Sequence, residues 1–135
     1  MRGYTVEMAF LMPIILLLFM SSIFAVFYYH DKNIIAGAAY ETSVVGSNKA
    51  REENGVEEQE LQSLFQDRIQ GKCILFSGVD AVIEIGDKEI EVCATARKKH
   101  MAVTVVKKAA VTDPEGRIRD VRRIKELGNG TKNND

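Results

Sequence analysis

Residues 1–30, MRGYTVEMAFLMPIILLLFMSSIFAVFYYH, set Arg2, Gly3 and a single carboxylate, Glu7, ahead of an apolar run, and that order decides the architecture. From Met8 to Tyr29 there are 22 residues without a charge. As a helix at about 1.5 Å per residue they reach roughly 33 Å, against about 30 Å for the hydrocarbon core of a bilayer. The apolar region of a secretory signal peptide stops at about 15 residues, so the run reads as a membrane-spanning helix. The basic amino end next to the first apolar helix favours that end inside the cytoplasmic membrane and the body outside.

The remaining hundred or so residues of the 135-residue chain suffice for one small core. The overall mean hydropathy of -0.09 averages an apolar segment with a charged body and describes neither. Charge in the body is uneven. Residues 31–70 carry 4 basic and 8 acidic side chains, residues 71–96 carry 2 and 5, and residues 97–135 carry 11 and 5. Such a split serves contact between like subunits, acidic part to basic part, or attraction to an anionic surface; a solvated surface has the same composition.

No proline interrupts His30 to Arg51, and Ile34, Ala38, Thr42 and Val45 recur at helical spacing, so the membrane helix is expected to continue to about residue 51. Gly37 and Gly46 weaken it by about 1 kcal/mol each and permit close approach of a neighbouring element. After a break at Asn54–Gly55, Leu61, Leu64, Phe65 and Ile69 mark a short amphipathic helix, with Glu57, Glu58 and Glu60 near its amino end and Gly71 beyond its carboxyl end. The period then falls to two. Val79, Ala81, Ile83 and Ile85 form one strand, and Ile90, Val92, Ala94 and Ala96 a second. A type II′ turn at Gly86–Asp87 would set Ile83 against Ile90 and Ala81 against Val92. Arg97 to His100 reads as a charged connection to a third strand, MAVTVV. Asp113 as N-cap, Pro114 at the first position and Ile118, Val121, Ile124 and Leu127 at threes predict a closing helix, with residues 129–135 a polar tail.

The fold class is therefore α+β: a long amino-terminal helix over 4–51, transmembrane over about 8–29, then an extracytoplasmic domain over 52–128 with a short helix, a three-stranded antiparallel meander and a carboxyl-terminal helix. Two cysteines, Cys73 and Cys93, fall in that domain. In an oxidising compartment a bridge would close a loop of about 20 residues, worth about 3 kcal/mol; two independent small apolar side chains are the equal alternative.

The string RGYTVEMAFLMP, with the continuation FYYHDKNIIAGAAYE, resembles the amino end of TadE-like proteins of tight-adherence pilus systems, a branch of the type IV pilin-like superfamily. The resemblance covers mainly residues 1–50. It implies a leader of residues 1–3 ending at Gly3, a mature amino terminus at Tyr4 left by a prepilin peptidase, and Glu7 as the carboxylate that meets a neighbouring subunit's terminal amine. An unpaired charge in apolar surroundings is expensive, so such pairing favours one axial register. Glu7 is the fourth residue counted from Tyr4, whereas the familiar pattern has the fifth, a rotation of about 100° on a helix. Pro13 lacks an N–H and can kink the membrane helix.

The expected partners are membrane lipid, the prepilin peptidase, other pilin-like subunits and the assembly platform. Nucleic acid is not expected, because the basic set Arg117, Arg119, Arg122, Arg123 and Lys125 belongs to an outward-facing domain. His30 and His100 have no ligand spacing with the cysteines, and no nucleophile elbow or phosphate loop is present, so neither a metal, a cofactor nor an enzymatic activity is expected. The rival to a pilin-like subunit is an anchored extracytoplasmic binding module, for which Glu7 would be dispensable.

Overall fold

The computed structural model describes residues 2–52, 55–112 and 114–130. Asn54 at the expected break, the expected cap Asp113 and the tail from 131 lie outside the described residues, as do the side-chain surroundings of Gly3 and Arg117. The elements run in the order α1 (Arg2–Lys49), α2 (Glu58–Ile69), β1 (Val79–Ile85), β2 (Glu89–Lys98), β3 (Met101–Ala110) and α3 (Pro114–Gly130). The fold is α+β, with the sheet ordered β1-β2-β3 and both pairings antiparallel.

Helix α1 has two halves with different surroundings. Residues 4–26 are exposed throughout, so none of the described residues covers the apolar run before Phe27, and only its end, at Phe27 and Tyr28, is half-buried. From Asp31 onward one face is buried under the sheet and α2, through Ile35, Ala38, Ala39, Thr42 and Ser43. The expected stripe was Ile34, Ala38, Thr42 and Val45. Ala38 and Thr42 are buried and the other two half-buried, because the small side chains Ala39, Ser43 and Ser47 let the body settle slightly further round the helix. Ser43 and Ser47 satisfy their hydroxyls by donating to the carbonyls of Tyr40 and Val44. Thr42 Oγ1 is buried without a partner.

The two glycines of this half differ. A Cβ at Gly46 would meet Leu61 Cδ1 at 2.9 Å and Ile90 Cδ1 at 3.0 Å, so Gly46 is the close approach at which α1, α2 and β2 converge. Nothing lies within 4 Å of a Cβ at Gly37. Gly37→Ala is thus expected to stabilise the protein by about 1 kcal/mol through helix propensity, and Gly46→Leu to destabilise it by about 2 kcal/mol through overpacking. Denaturant titration of the two variants should give midpoints displaced in opposite directions from the parent chain.

Helix α2 buries Leu61, Phe65 and Ile69 against the core and half-buries Leu64. It ends where expected: Gly71 takes φ +73, following Gln70 at φ -51, ψ 121, and Lys72 N–H donates to Ile69 O at 3.0 Å, a type II turn that needs glycine in its third position. Gln66 and Gln62 donate to the Val79 and Ala81 carbonyls at 3.0 and 3.4 Å, covering the outer edge of β1. Arg68 pairs with Glu41 at 2.6 Å, and Lys49 pairs with Glu60, tying α2 to α1 at the surface.

The hairpin register corrects the expectation. Ile83 stands opposite Val92, Ala81 opposite Ala94 and Ile85 opposite Ile90, a slip of two residues that keeps the apolar rows on one face. Gly86 is not at positive φ, so the II′ turn at Gly86–Asp87 does not form. Instead Gly86 N–H donates to Glu89 O at 3.0 Å and Asp87–Lys88 make the turn. Glycine is required there for proximity, since a Cβ would fall 2.9 Å from that carbonyl oxygen.

Strand β3 is also longer than MAVTVV, continuing to Ala110 with Lys107 opposite Val92 and Lys108 opposite Glu91. Lys108 Nζ lies 2.8 Å from Glu91, and this pairing and Glu89 push the ammonium's pKa up. Arg97 and Lys98 belong to β2, leaving a two-residue connection, Lys99–His100, with Lys99 at φ +51. A side chain in that left-handed region costs about 1 kcal/mol relative to glycine. Helix α3 forms as expected, but none of its described side chains belongs to the core, and Ile118, Val121, Ile124 and Leu127 are all exposed.

Candidate functional site

Two regions of α1 carry the chemistry. At its start, Tyr4 and Glu7 are exposed on a helix that already begins at Arg2, so the bond from Gly3 to Tyr4 lies within helical backbone. Glu7 sits about 4.5 Å along the axis from Tyr4 and turned by about 300°. Helical structure continues through Pro13 without interruption. The residue 9 carbonyl lacks the N–H that position 13 would otherwise supply. About 40 Å separates Tyr4 from the foot of the body, so Glu7 lies far from the folded domain.

The second region lies where the apolar run ends. Asp31 is fully buried, and its carboxylate is the anchor of the α2–β1 connection. Oδ1 accepts the Ile74 N–H at 2.9 Å, and Oδ2 accepts those of Leu75 at 2.6 Å and Phe76 at 3.0 Å. His30 Nδ1 lies 3.1 Å from Oδ1. Three successive backbone donors form a nest around one anion, and charge-assisted bonds of this kind are about twice as strong as neutral ones. Burial raises the Asp31 pKa, but the bonds from Ile74, Phe76, His30 and Leu75 more than offset it and hold the carboxyl below its ordinary value. Tyr28 and Phe76 close the site with an edge-on ring contact at 6.3 Å.

Cys73 is the other predicted residue brought here. Burial and the Asp31 charge push its thiol pKa up, which keeps it protonated and unreactive. Cys93 lies on the sheet face away from the core, between Val82 and Val106, and both cysteines are free thiols. An open cleft of about 630 Å³ runs beside Cys73, between the end of α2 and the start of β1. Its Gln66 amide is already committed to the Val79 carbonyl.

Sequence reasoning passed over Asp31. The available signal was its spacing: Asp31, Ile35, Ala38 and Thr42 lie at four- and three-residue intervals on the buried face. The group it serves is main chain, more than forty residues away, and leaves no side-chain signature.

The family model described as TadE-like protein matches residues 4–43. This amino-terminal segment is TadE-like. The matched region starts at Tyr4, takes in Glu7, the apolar run and Asp31, and stops within α1, so α2, the sheet and α3 lie beyond it. No curated protein and no solved structure matches the chain. Its helix fits a single-pass membrane anchor, with a mean hydropathy of 2.6 over its most apolar window.

Proposed function

We propose that this TadE-like chain is a structural subunit, a minor pilin or pseudopilin of a tight-adherence-type pilus or secretion assembly, without enzymatic activity. The observation that carries the reading is one uninterrupted helix, Arg2–Lys49, with a single exposed carboxylate at the head of its apolar half and a folded body only on its distal half. That is the form of a rod that packs through one end and displays a domain at the other. The chain inserts with its amino end in the cytoplasm and its body outside. A prepilin peptidase removes Met1 to Gly3, for which the helix must unwind locally, and glycine at position 3 weakens it there. The freed Tyr4 amine of one subunit then pairs with Glu7 of another.

Intact mass and amino-terminal sequencing of the membrane form should show a chain beginning at Tyr4. An uncleaved chain in cells with an active prepilin peptidase overturns the reading. The TadE-like match ending at residue 43 gives the rival, an anchored binding module, its one foothold, since the body lies beyond it. Exchanging residues 1–29 for an unrelated membrane anchor separates the two: a subunit loses incorporation into the assembly, whereas a tethered module keeps its function.

A further inference from the structure

The strands and α1 act as two rulers laid side by side. At the distal end Gly46 is in contact with Ile90. From Gly46 down to Tyr29, the last residue of the apolar run, α1 descends about 26 Å. From Ile90 to Lys98, β2 covers about 26 Å at 3.3 Å per residue. A second tie at the lower end agrees with this alignment, where Phe76 N–H meets Asp31 and the strand that begins three residues later pairs Val79 with Ala96. The connection between β2 and β3 therefore hangs at the level at which α1 leaves the apolar layer.

That level is cationic. Arg97, Lys98, Lys99 and His100 are exposed, and Lys32 and Lys72 are exposed near the foot of the body. Asp31 is buried and bonded, Asp80 stands higher on β1, opposite Thr95, and Glu41 and Asp67 share surface clefts with Lys72 above that level. Apolar tips accompany the cations, with Tyr29 and Ile74 61% and 55% exposed and Met101 38% exposed. Cations over apolar tips are the composition of a surface that sits in headgroups. Lys99 also occupies a left-handed backbone position that glycine would take without strain. Helix α3, which carries Arg117, Arg119, Arg122, Arg123 and Lys125, starts at the opposite end, because Val111 N–H donates to Lys88 O beside the β1–β2 turn.

We propose that the Arg97–His100 connection, with Lys32 and Lys72, binds the phosphate-bearing headgroups of anionic phospholipid in the leaflet from which the body projects, fixing the tilt of the body on the membrane. This rests on insertion of α1 and not on processing or assembly. The test uses the full chain in bilayer discs of phosphatidylcholine alone or mixed equally with phosphatidylglycerol. Tryptic cleavage after Arg97, Lys98 and Lys99 should be about tenfold slower in the anionic discs, and the protection should fade at high salt. The double variant Lys98→Glu/Lys99→Glu, read by hydrogen exchange over residues 96–102, should lose the difference between discs, while Lys125→Glu keeps it. Equal protection in both disc types overturns the proposal. So does protection of neutral-disc protein by inorganic phosphate, which would mark a free-anion site. Co-elution with neutral discs reports insertion separately, so a failed anchor is distinguished from a failed headgroup contact.

Discussion

Asp31→Asn should lower the stability of the body by about 3 kcal/mol, because an amide cannot accept from every donor now aimed at the carboxylate and leaves buried N–H groups unsatisfied. That is a large share of the stability of a small domain. The groups facing the carboxylate are the Ile74, Leu75 and Phe76 amides, His30 from α1, and the Cys73 thiol from the α2–β1 connection. Its folded pKa is depressed, so the stabilisation is present above the ordinary carboxylate range and disappears as pH falls through the folded value. Thermal unfolding of the full chain in micelles, followed through the aromatic signal of Tyr28 and Phe76, should therefore show a midpoint that drops on acidification below about pH 4. The Asn variant should start lower and show less of this drop. A variant as stable as the parent at neutral pH would refute the anchoring role.

Glu7→Gln should leave insertion intact and reduce incorporation into the assembly by about thirtyfold or more, since an ion pair in apolar surroundings contributes about 2 kcal/mol or more to a contact once one partner is removed. The residue is exposed and far from the body, so the substitution should not change the unfolding midpoint. Crosslinking between copies within membranes, compared for parent, Glu7→Gln and Glu7→Asp, measures it. The Asp variant should retain part of the incorporation, because the charge survives on a shorter arm. Normal incorporation of Glu7→Gln together with a blocked amino terminus would remove the basis of the subunit reading. The short spacing from Tyr4 to Glu7 makes the comparison informative: in the proposed subunit contact the carboxylate would approach the neighbouring amine from a face rotated by about 100° relative to the familiar pattern.

Both predictions concern α1, yet only one of the two residues was legible in advance. Glu7 stands out as a lone charge at the head of an apolar run. Asp31 follows FYYH and precedes Lys32, which reads as the solvated exit of a membrane helix. Its burial follows from a connection that folds back across the helix from residues 74–76.

Local pattern alone determined the long helix, the Leu61–Phe65–Ile69 face of α2, the glycine stop at Gly71 and the three-stranded meander, because helical and extended periods are imposed by neighbouring residues. Tertiary structure decided the rest. The hairpin slipped by two residues without moving any side chain to the other face, so alternation could not choose between registers and the Gly86–Glu89 contact did. Strand β3 ran on through Lys107 and Lys108 because β2 offered partners, although lysines end a strand pattern on paper. The burial of Asp31 and the close approach at Gly46 arose only when segments distant in sequence met. Such contacts depend on where the main chain of one element lies against another, and side-chain order along a single element does not encode that.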